Sequence, residues 1–367
     1  PAPPEVGEKK YDAESAAMIA LLKYGSGVPF NRLKGLQGNL GIPLAASTQW
    51  DVLADCAPVF IPIHEALILI AAQGKVIHND DTTMKVLNLP PLNIPEKIGA
   101  NKSKAAQRKG VFTSGIVAIG GGRTIALYFT GHKHAGENLA DVLKRRAAEL
   151  GPPIQMCDAL SRNVSEDFKT ILANCLAHGR RRFIDVVENF PAECRYVLEL
   201  LGKVYQNDET TRREKMSDRD RLIYHQANSK ELMDELEQWM KRQLDDKLVE
   251  PNSSLGEAIT YMLKHWEPLT LFLVKSGAPL DNNVCERALK KAILHRKNAY
   301  FYKTANGARI GDMFMSLIHT CELNKANPFD YLTELQKHAQ AAALNPADWT
   351  PWNYRQTLSA SQSPQNA

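Results

Sequence analysis

The sequence predicts an α/β fold, a mixed sheet flanked by helices, with an N-terminal helical segment and an all-α insertion. Three observations lead there. Short apolar runs bounded by Gly, Asn and Asp crowd between Lys75 and Thr130 and recur at Ile154–Cys157, which is the pattern of strands. Runs of helical period stand before and after them. A chain of 367 residues, 44% hydrophobic and 23% charged, has the composition of a globular protein and the length for two or three domains, or for one core carrying an insertion.

Up to about Gly74, helical patterns at Ala13–Tyr24, Phe30–Leu40, Leu44–Cys56 and Ile61–Gln73 alternate with turn signals. The Gly41-Ile42-Pro43 break has the form of the turn in a helix-turn-helix, as it does in many small helical bundles. Lys75–His78 is a short apolar strand ending in Asn79-Asp80-Asp81-Thr82, and Met84–Leu89 resumes extended character. Strands at Gly110–Ile119 and Thr124–Thr130 are joined by Gly120-Gly121-Gly122-Arg123 as a hairpin turn. A helix over Ala135–Leu150 sets Leu139, Val142 and Leu143 on one face, and a further strand, Ile154–Cys157, ends at Asp158. Thr170–Ala177 reads as a fifth strand or a buried helix end. Beyond Arg180 the chain turns helical, at Tyr196–Tyr205 and at Lys230–Asp246, where Leu232, Met233, Leu236, Trp239, Met240 and Leu244 form one stripe. The charged stretch Asp208–Arg221 between them reads as a solvated helix face or loop. A helix over Leu255–Lys275 delivers the chain to Asp281, Arg309–Lys325 closes the core, and a helix follows at Pro328–Ala342. The polar tail Ser359–Gln365 is expected to be disordered. These limits divide the chain into 1–73, a helical region; 74–195, the first part of a core; 196–254, a helical insertion; 255–345, the rest of the core; and 346–367, a tail.

The net charge of +4 is a mild bias, so its distribution matters more. Lys97, Lys102, Lys104, Arg108 and Lys109 form one basic patch, and Arg287, Lys290, Lys291, Arg296, Lys297 and Lys303 another, which points to nucleic acid. The six cysteines are scattered without a Cys-x-x-Cys pair, as in a reducing compartment. Cys175 and His178 have ligand-like spacing, but no second pair completes a zinc set. The apolar run Val59–Ala72 is interrupted by His64 and Glu65 and is too short for a bilayer. The chain opens Pro1-Ala2-Pro3-Pro4-Glu5, without the basic region and apolar core of a signal peptide. The expectation is a cytoplasmic, nucleoid-associated protein with no membrane partner, and the missing initiator Met suggests part of a longer chain.

Asp80 and Asp158 each follow a predicted strand, and Glu286 opens a late helix in Pro279-Leu280-Asp281-Asn282-Asn283-Val284-Cys285-Glu286-Arg287. Neighbouring parallel strands would bring the two aspartates together, and a helix packed across the sheet would add the glutamate. Phosphodiester chemistry must activate an attacking oxygen and stabilise a leaving one, which two divalent ions about 4 Å apart accomplish. Magnesium prefers oxygen ligands such as these. Each acid also has a plain reading: Asp80 or Asp81 as a turn residue, Asp158 as a helix cap, Glu286 as half of a surface ion pair. Asp281, Asn282 and Asn283 suit capping, with Asn282 and Asn283 also placed to orient Glu286.

At this point the sequence resembles the insertion-sequence-66 family of bacterial transposases, over about Lys23 to Leu335. The blocks that carry the resemblance stand in order: Val76–Leu87 around Asp80-Asp81; Lys102-Ser103-Lys104 and the strand after it; Gln155-Met156-Cys157-Asp158; Cys175-Leu176-Ala177-His178-Gly179-Arg180-Arg181-Arg182-Phe183; and Asp281–Arg287 with Arg296-Lys297-Asn298 and Phe301. The resemblance implies a ribonuclease-H-like core with Asp80, Asp158 and Glu286 as a catalytic, metal-binding triad for two Mg2+ ions, with Mn2+ as a substitute. Asp81, Asp281, Asn282, Asn283 and His178 would support it, and Asp81 stays a second candidate for the first ligand. Lys102, Lys104, Arg180, Arg181, Arg182, Arg287, Arg296 and Lys297 would contact phosphates. The implied partners are double-stranded DNA, as element ends and target, a second copy of the chain on that DNA, and accessory proteins of the element. Two departures stand out: Asp81 replaces a usual Glu, and Ala159-Leu160 replaces a usual Gly-Tyr or Ala-Tyr. Nothing here matches the family's cysteine-rich N-terminal region, so end recognition is expected to lie elsewhere. The rival readings are a structure-selective nuclease and a DNA-binding protein derived from a transposase.

Overall fold

The computed structural model describes residues 10–93, 107–165 and 167–362. Its centre is a mixed five-stranded sheet, as the strand pattern predicts. β1 (Val76–Thr83) is followed by the short β2 (Val86–Asn88), β3 (Leu92–Asn93) and β4 (Gln107–Arg108), then by the long hairpin of β5 (Phe112–Gly120) and β6 (Arg123–Gly131). Gly121 and Gly122 hold φ of 59° and 74° in its turn, the left-handed pair that a two-residue hairpin requires. β7 (Ile154–Cys157) and β8 (Ile171–Asn174) complete the sheet in the order β6-β5-β1-β7-β8. The β1, β5 and β6 strands run antiparallel; β7 pairs parallel to β1, and β8 parallel to β7. β9 (Tyr302–Thr304) pairs with β2 outside this sheet.

Before the sheet come α1 (Ala13–Ala20), continued by a π-turn to Gly25, then α2 (Phe30–Asn39) and α3 (Ala46–Ala72). The two helices expected at Leu44–Cys56 and Ile61–Gln73 are one, although Pro58 and Pro62 lack the N–H that a helix interior uses. The stripe Leu53, Ala57, Phe60, Ile63, Leu67 and Ala71 is buried without a break, and that burial holds the register through both prolines. At 27 residues the helix is also long and apolar enough to cross a membrane, contrary to the length read from Val59–Ala72; here its stripe packs in the core with β5, β6 and later helices. The helix after the Gly41 turn is therefore the start of this core helix.

α4 (Ala135–Leu143) ends earlier than expected. After β8 follow α5 (Leu176–Asp185), α6 (Pro191–Arg213), α7 (Asp218–Asn228), α8 (Lys230–Asp245), α9 (Ser254–Lys264) and α10 (Trp266–Leu269), the last two replacing the single helix expected over Leu255–Lys275. Asp208, expected in a solvated stretch, is buried within α6, where Arg212, Arg221 and His225 surround it. α11 (Asn283–Ala299), α12 (Ala305–Leu323), α13 (Pro328–Lys337), α14 (Ala339–Leu344) and α15 (Tyr354–Gln362) close the chain. α15 includes Ser359–Gln362, which composition assigned to a disordered tail. Two hydrophobic cores result: one joins β1, β5 and β6 to α1, α3, α4, α11 and α12, the other joins β7 and β8 to α5, α6, α8 and α9.

Candidate active site

Successive side chains of a strand face opposite ways, so the adjacent acids Asp80 and Asp81 lie on opposite faces of the sheet. The His78, Asp80 and Thr82 face is covered by α11. His78 Nδ1 lies 3.0 Å from Asn282 Oδ1, and Arg296 donates to Thr82 Oγ1 at 3.0 Å. Gly115, opposite Asp80 on β5, lets α11 sit close, since a Cβ there would lie 3.0 Å from Leu289. Asp81 turns toward α4 and pairs with His134 Nδ1 at 2.9 Å and Arg162 Nη2 at 3.3 Å.

The parallel register of β1 and β7 runs to His78 and Met156, and two residues beyond each stand Asp80 and Asp158. Asp80 does not follow its strand, because β1 continues against β5 to Thr83. Asn163 Nδ2 donates to both carboxylates, at 3.1 Å to Asp80 and 2.6 Å to Asp158. Asn163 is itself fixed, for its carbonyl accepts from Asn79 Nδ2 and Gln155 Nε2, both at 2.7 Å. Burial, with the nearby charge of Asp158, pushes the Asp80 carboxyl up to about 7, against hydrogen bonds from the Asp81 N–H and Asn163. A carboxylate pair in this state is a place for positive charge.

Glu286 enters from α11, whose first turn is pinned to the sheet. Asn282 donates Nδ2 to Asn79 O at 3.1 Å and its N–H to Cys175 Sγ at 3.2 Å. Asp281 accepts from Asn283 N at 3.1 Å and Asn283 Nδ2 at 2.8 Å, so Asp281 and Asn283 shape the turn and Asn282 docks it. Glu286 Oε1 is buried without a hydrogen-bond partner among the described residues and lies 3.9 Å from His178 Nε2. Among the described residues, Cys175, His178 and Glu286 are the group whose ligand atoms all lie within 4.8 Å of one another. The structure thus brings Asp80 beside Asp158 and brings Glu286 beside His178. His178 joins the two parts, because it lines an open cavity of about 380 Å³ with Asp158, Arg181, Arg182 and Tyr261. Cys175 is buried and its thiol is pushed up to about 11, which keeps it protonated and a poor ligand. The remaining donors are the carboxylate oxygens, which a hard divalent ion takes, and the His178 imidazole.

The basic residues divide. Arg181 and Arg182 on α5 are exposed at that cavity, with the Arg182 guanidinium 3.9 Å over the Tyr261 ring. Arg180 on α5 is half-buried, while Arg287 and Lys297 on α11 are exposed. Arg296 is committed to Thr82 and Thr83 at the end of β1. Lys102 and Lys104 lie outside the described residues. Sequence reasoning missed Asn163 and Tyr261, which reach the site through the fold and belong to none of the acid or basic motifs, and it quoted Gln155 in the block of Asp158 without giving it a role.

The sequence model of the family described as Transposase IS66 family matches residues 9–310. The chain is similar to three proteins of Sinorhizobium fredii (strain NBRC 101917 / NGR234) that carry only the name of uncharacterized proteins. With y4hP it is 26% identical over 94% of this chain and 62% of the relative. With y4jD it is 32% identical over 50% of this chain and 36% of the relative, and with y4qI 27% over 50% and 34%. The chain therefore spans less than two thirds of the length of these relatives.

Proposed function

The chain belongs to the IS66 family of transposases, and from that premise we propose that it is the catalytic region of a DNA transposase, cutting at element ends and joining them to target DNA through Asp80, Asp158 and Glu286. The observation that carries the reading is the Asp80–Asp158 pair, two carboxylates held together by Asn163, with no cationic partner for Asp80 among the described residues. The strand order, three antiparallel strands extended by two parallel ones, supports a ribonuclease-H-like core made of residues 74–195 and 255–345. Residues 196–254 would be a helical insertion, 1–73 an N-terminal helical region and 346–367 a tail.

The donor chemistry fits magnesium, or manganese in its place: Asp80, Asp158 and Glu286 would hold it, and the unpartnered Glu286 Oε1 is the orphan such an ion would satisfy. Bound there, the ion supplies Lewis acidity and a more acidic water. The protein does the rest. Asn163 fixes the orientation of both aspartates, and Asn282 fixes the helix that presents Glu286. His178 stands beside Glu286 as its supporting residue. Asp81, already paired with His134 and Arg162, supports the strand and is not the ligand. Arg180, Arg181, Arg182, Arg287 and Lys297 would hold phosphates, sequence-independent contacts that position the strand. Hydrolysis at the element end breaks one P–O bond and frees a 3′-hydroxyl; that hydroxyl then attacks a target phosphorus, breaking one P–O bond as it forms another. A second copy of the chain and accessory proteins of the element are the proposed partners, in a nucleoid-associated, cytoplasmic setting.

A precut duplex end incubated with the protein and manganese tests this. Joined product is expected, and Glu286→Gln or Asp80→Asn should reduce it by 100-fold or more, on the order of the loss when a metal-dependent site loses a ligand. Cleavage without joining would mark a nuclease instead, and activity retained in Glu286→Gln would remove the assignment.

A further inference from the structure

A second feature lies at the other end of α11. His295 is about 14 Å along the helix from Glu286, at 1.5 Å per residue, and is 1% exposed. Its ring stacks on Tyr302 at 4.5 Å and 16°. Lys23, also buried, reaches from the π-turn after α1 to place Nζ 3.0 Å from His295 Nε2, with the rings of Tyr24 and Phe30 at 5.7 and 5.1 Å from the ammonium. Burial pushes Lys23 down to about 8, and no carboxylate offsets it. Burial also pushes His295 down to about 3, so its ring is neutral. With Lys23 donating to Nε2, the ring proton sits on Nδ1. Among the described residues Nδ1 has no acceptor, and an orphaned buried donor costs stability.

Lys23 and His295 line a cavity of about 520 Å³, walled by Phe30, Trp50 and Tyr302, with exposed Phe301 and Lys303 along its edge. Aromatic side chains around it and the Lys23 ammonium suit a planar heterocycle with acceptors on its edge. A bare phosphate would leave the ring faces unused. We propose that this pocket takes one unstacked nucleobase of the DNA strand that runs to the active site, stacked on the aromatic walls and hydrogen-bonded by Lys23. The proposal rests on the DNA-processing reading above. Nine residues at about 100° each put His295 on the flank of α11 opposite Glu286, so a strand that reaches both crosses the exposed face of the helix, where Arg287, Lys290 and Lys297 stand to hold its phosphates.

The test uses the full chain and two duplexes, one blunt and one with a short single-stranded end carrying 5-iodouracil at successive positions. Photo-crosslinking is expected to join one position of the single-stranded end to the peptide containing Phe30 or Trp50. Lys23→Met and Trp50→Leu should each weaken binding of that duplex about tenfold, within the range for losing one stacked base, and leave the blunt duplex unchanged. Two variants are used so that a folding defect in one, visible as weakened blunt-duplex binding, does not decide the result. Crosslinks only outside the pocket, or equal binding by both variants, would overturn the pocket while leaving the transposase reading intact. Failure to bind either duplex would overturn both.

Discussion

Asp312 shows what a single buried carboxylate costs in this fold. It lies on α12, accepts from Thr130 N at 2.6 Å and from Thr130 Oγ1 at 2.7 Å, and its burial pushes the carboxyl from 3.8 up to about 7 despite those bonds. Between those values the folded state binds more proton than the unfolded state. The stability from protonated Asp312 is complete below about pH 4 and is lost as pH rises toward 7, at up to about 1.4 kcal/mol per unit. Asp312→Asn keeps a carbonyl to accept from Thr130 and cannot ionise. Denaturant unfolding should therefore show the variant gaining roughly 2 kcal/mol on wild type between about pH 5 and about pH 8, and a constant difference would refute it. At this scale the sequence pointed to Asp80 and Asp158 as neighbours, although Asp80 lies within β1 and not after it. It was silent on Asp312 and Asn163, whose roles come from partners far along the chain. The choice between Asp80 and Asp81 was open in sequence because both are acids in one turn-like run; pairing of β1 with β5 through Thr83 puts them on opposite faces.

The hairpin and the succession of strands along the chain were readable because period-two runs with a glycine turn depend on local residues. The long α3 was not, since proline is a local signal that a continuous buried stripe overrode. Gly136 is another case of distant determination. In sequence it is a glycine in a helix; in the structure a Cβ there would lie 2.2 Å from Val164 O and 2.9 Å from Arg162 O, so its absence lets α4 rest on the turn that carries Asn163. Gly136→Ala must push that turn away from α4. Helix propensity favours the alanine by about 1 kcal/mol, whereas overpacking costs about 1–3 kcal/mol, and backbone atoms on the far side leave the larger cost. The variant should melt earlier and bind manganese more weakly in a calorimetric titration. A variant that melts earlier with unchanged metal affinity would separate the turn from the carboxylates.

The two cores meet at the site: Asp80 belongs to a strand of one, Asp158 follows a strand of the other, and α11 touches both through Cys285 and the preceding Leu280. The acids come together only if both cores are formed, which is why their spacing in sequence carries no geometry. The ionic cluster of the second core bears on this directly. Asp208 pairs with Arg212 and Arg221 at 2.5 Å and with His225 at 3.3 Å, and Arg212 Nη2 stands 4.0 Å from Asp281 in the turn before α11. Although burial pushes Asp208 up, His225, Arg221 and Arg212 hold it below the usual carboxylate range, so its contribution is present above about pH 4 and is lost as pH falls through the lowered value. Removing the carboxylate takes a charged acceptor from the part-buried Arg221 and the exposed Arg212, which costs about 1–3 kcal/mol. In Asp208→Ala, hydrogen exchange should rise first in α6, α7 and α8, with β5 and β6 still protected and manganese affinity reduced through the loosened α11 turn. Uniform loss of protection across the sheet would show instead that the two cores fold as one unit.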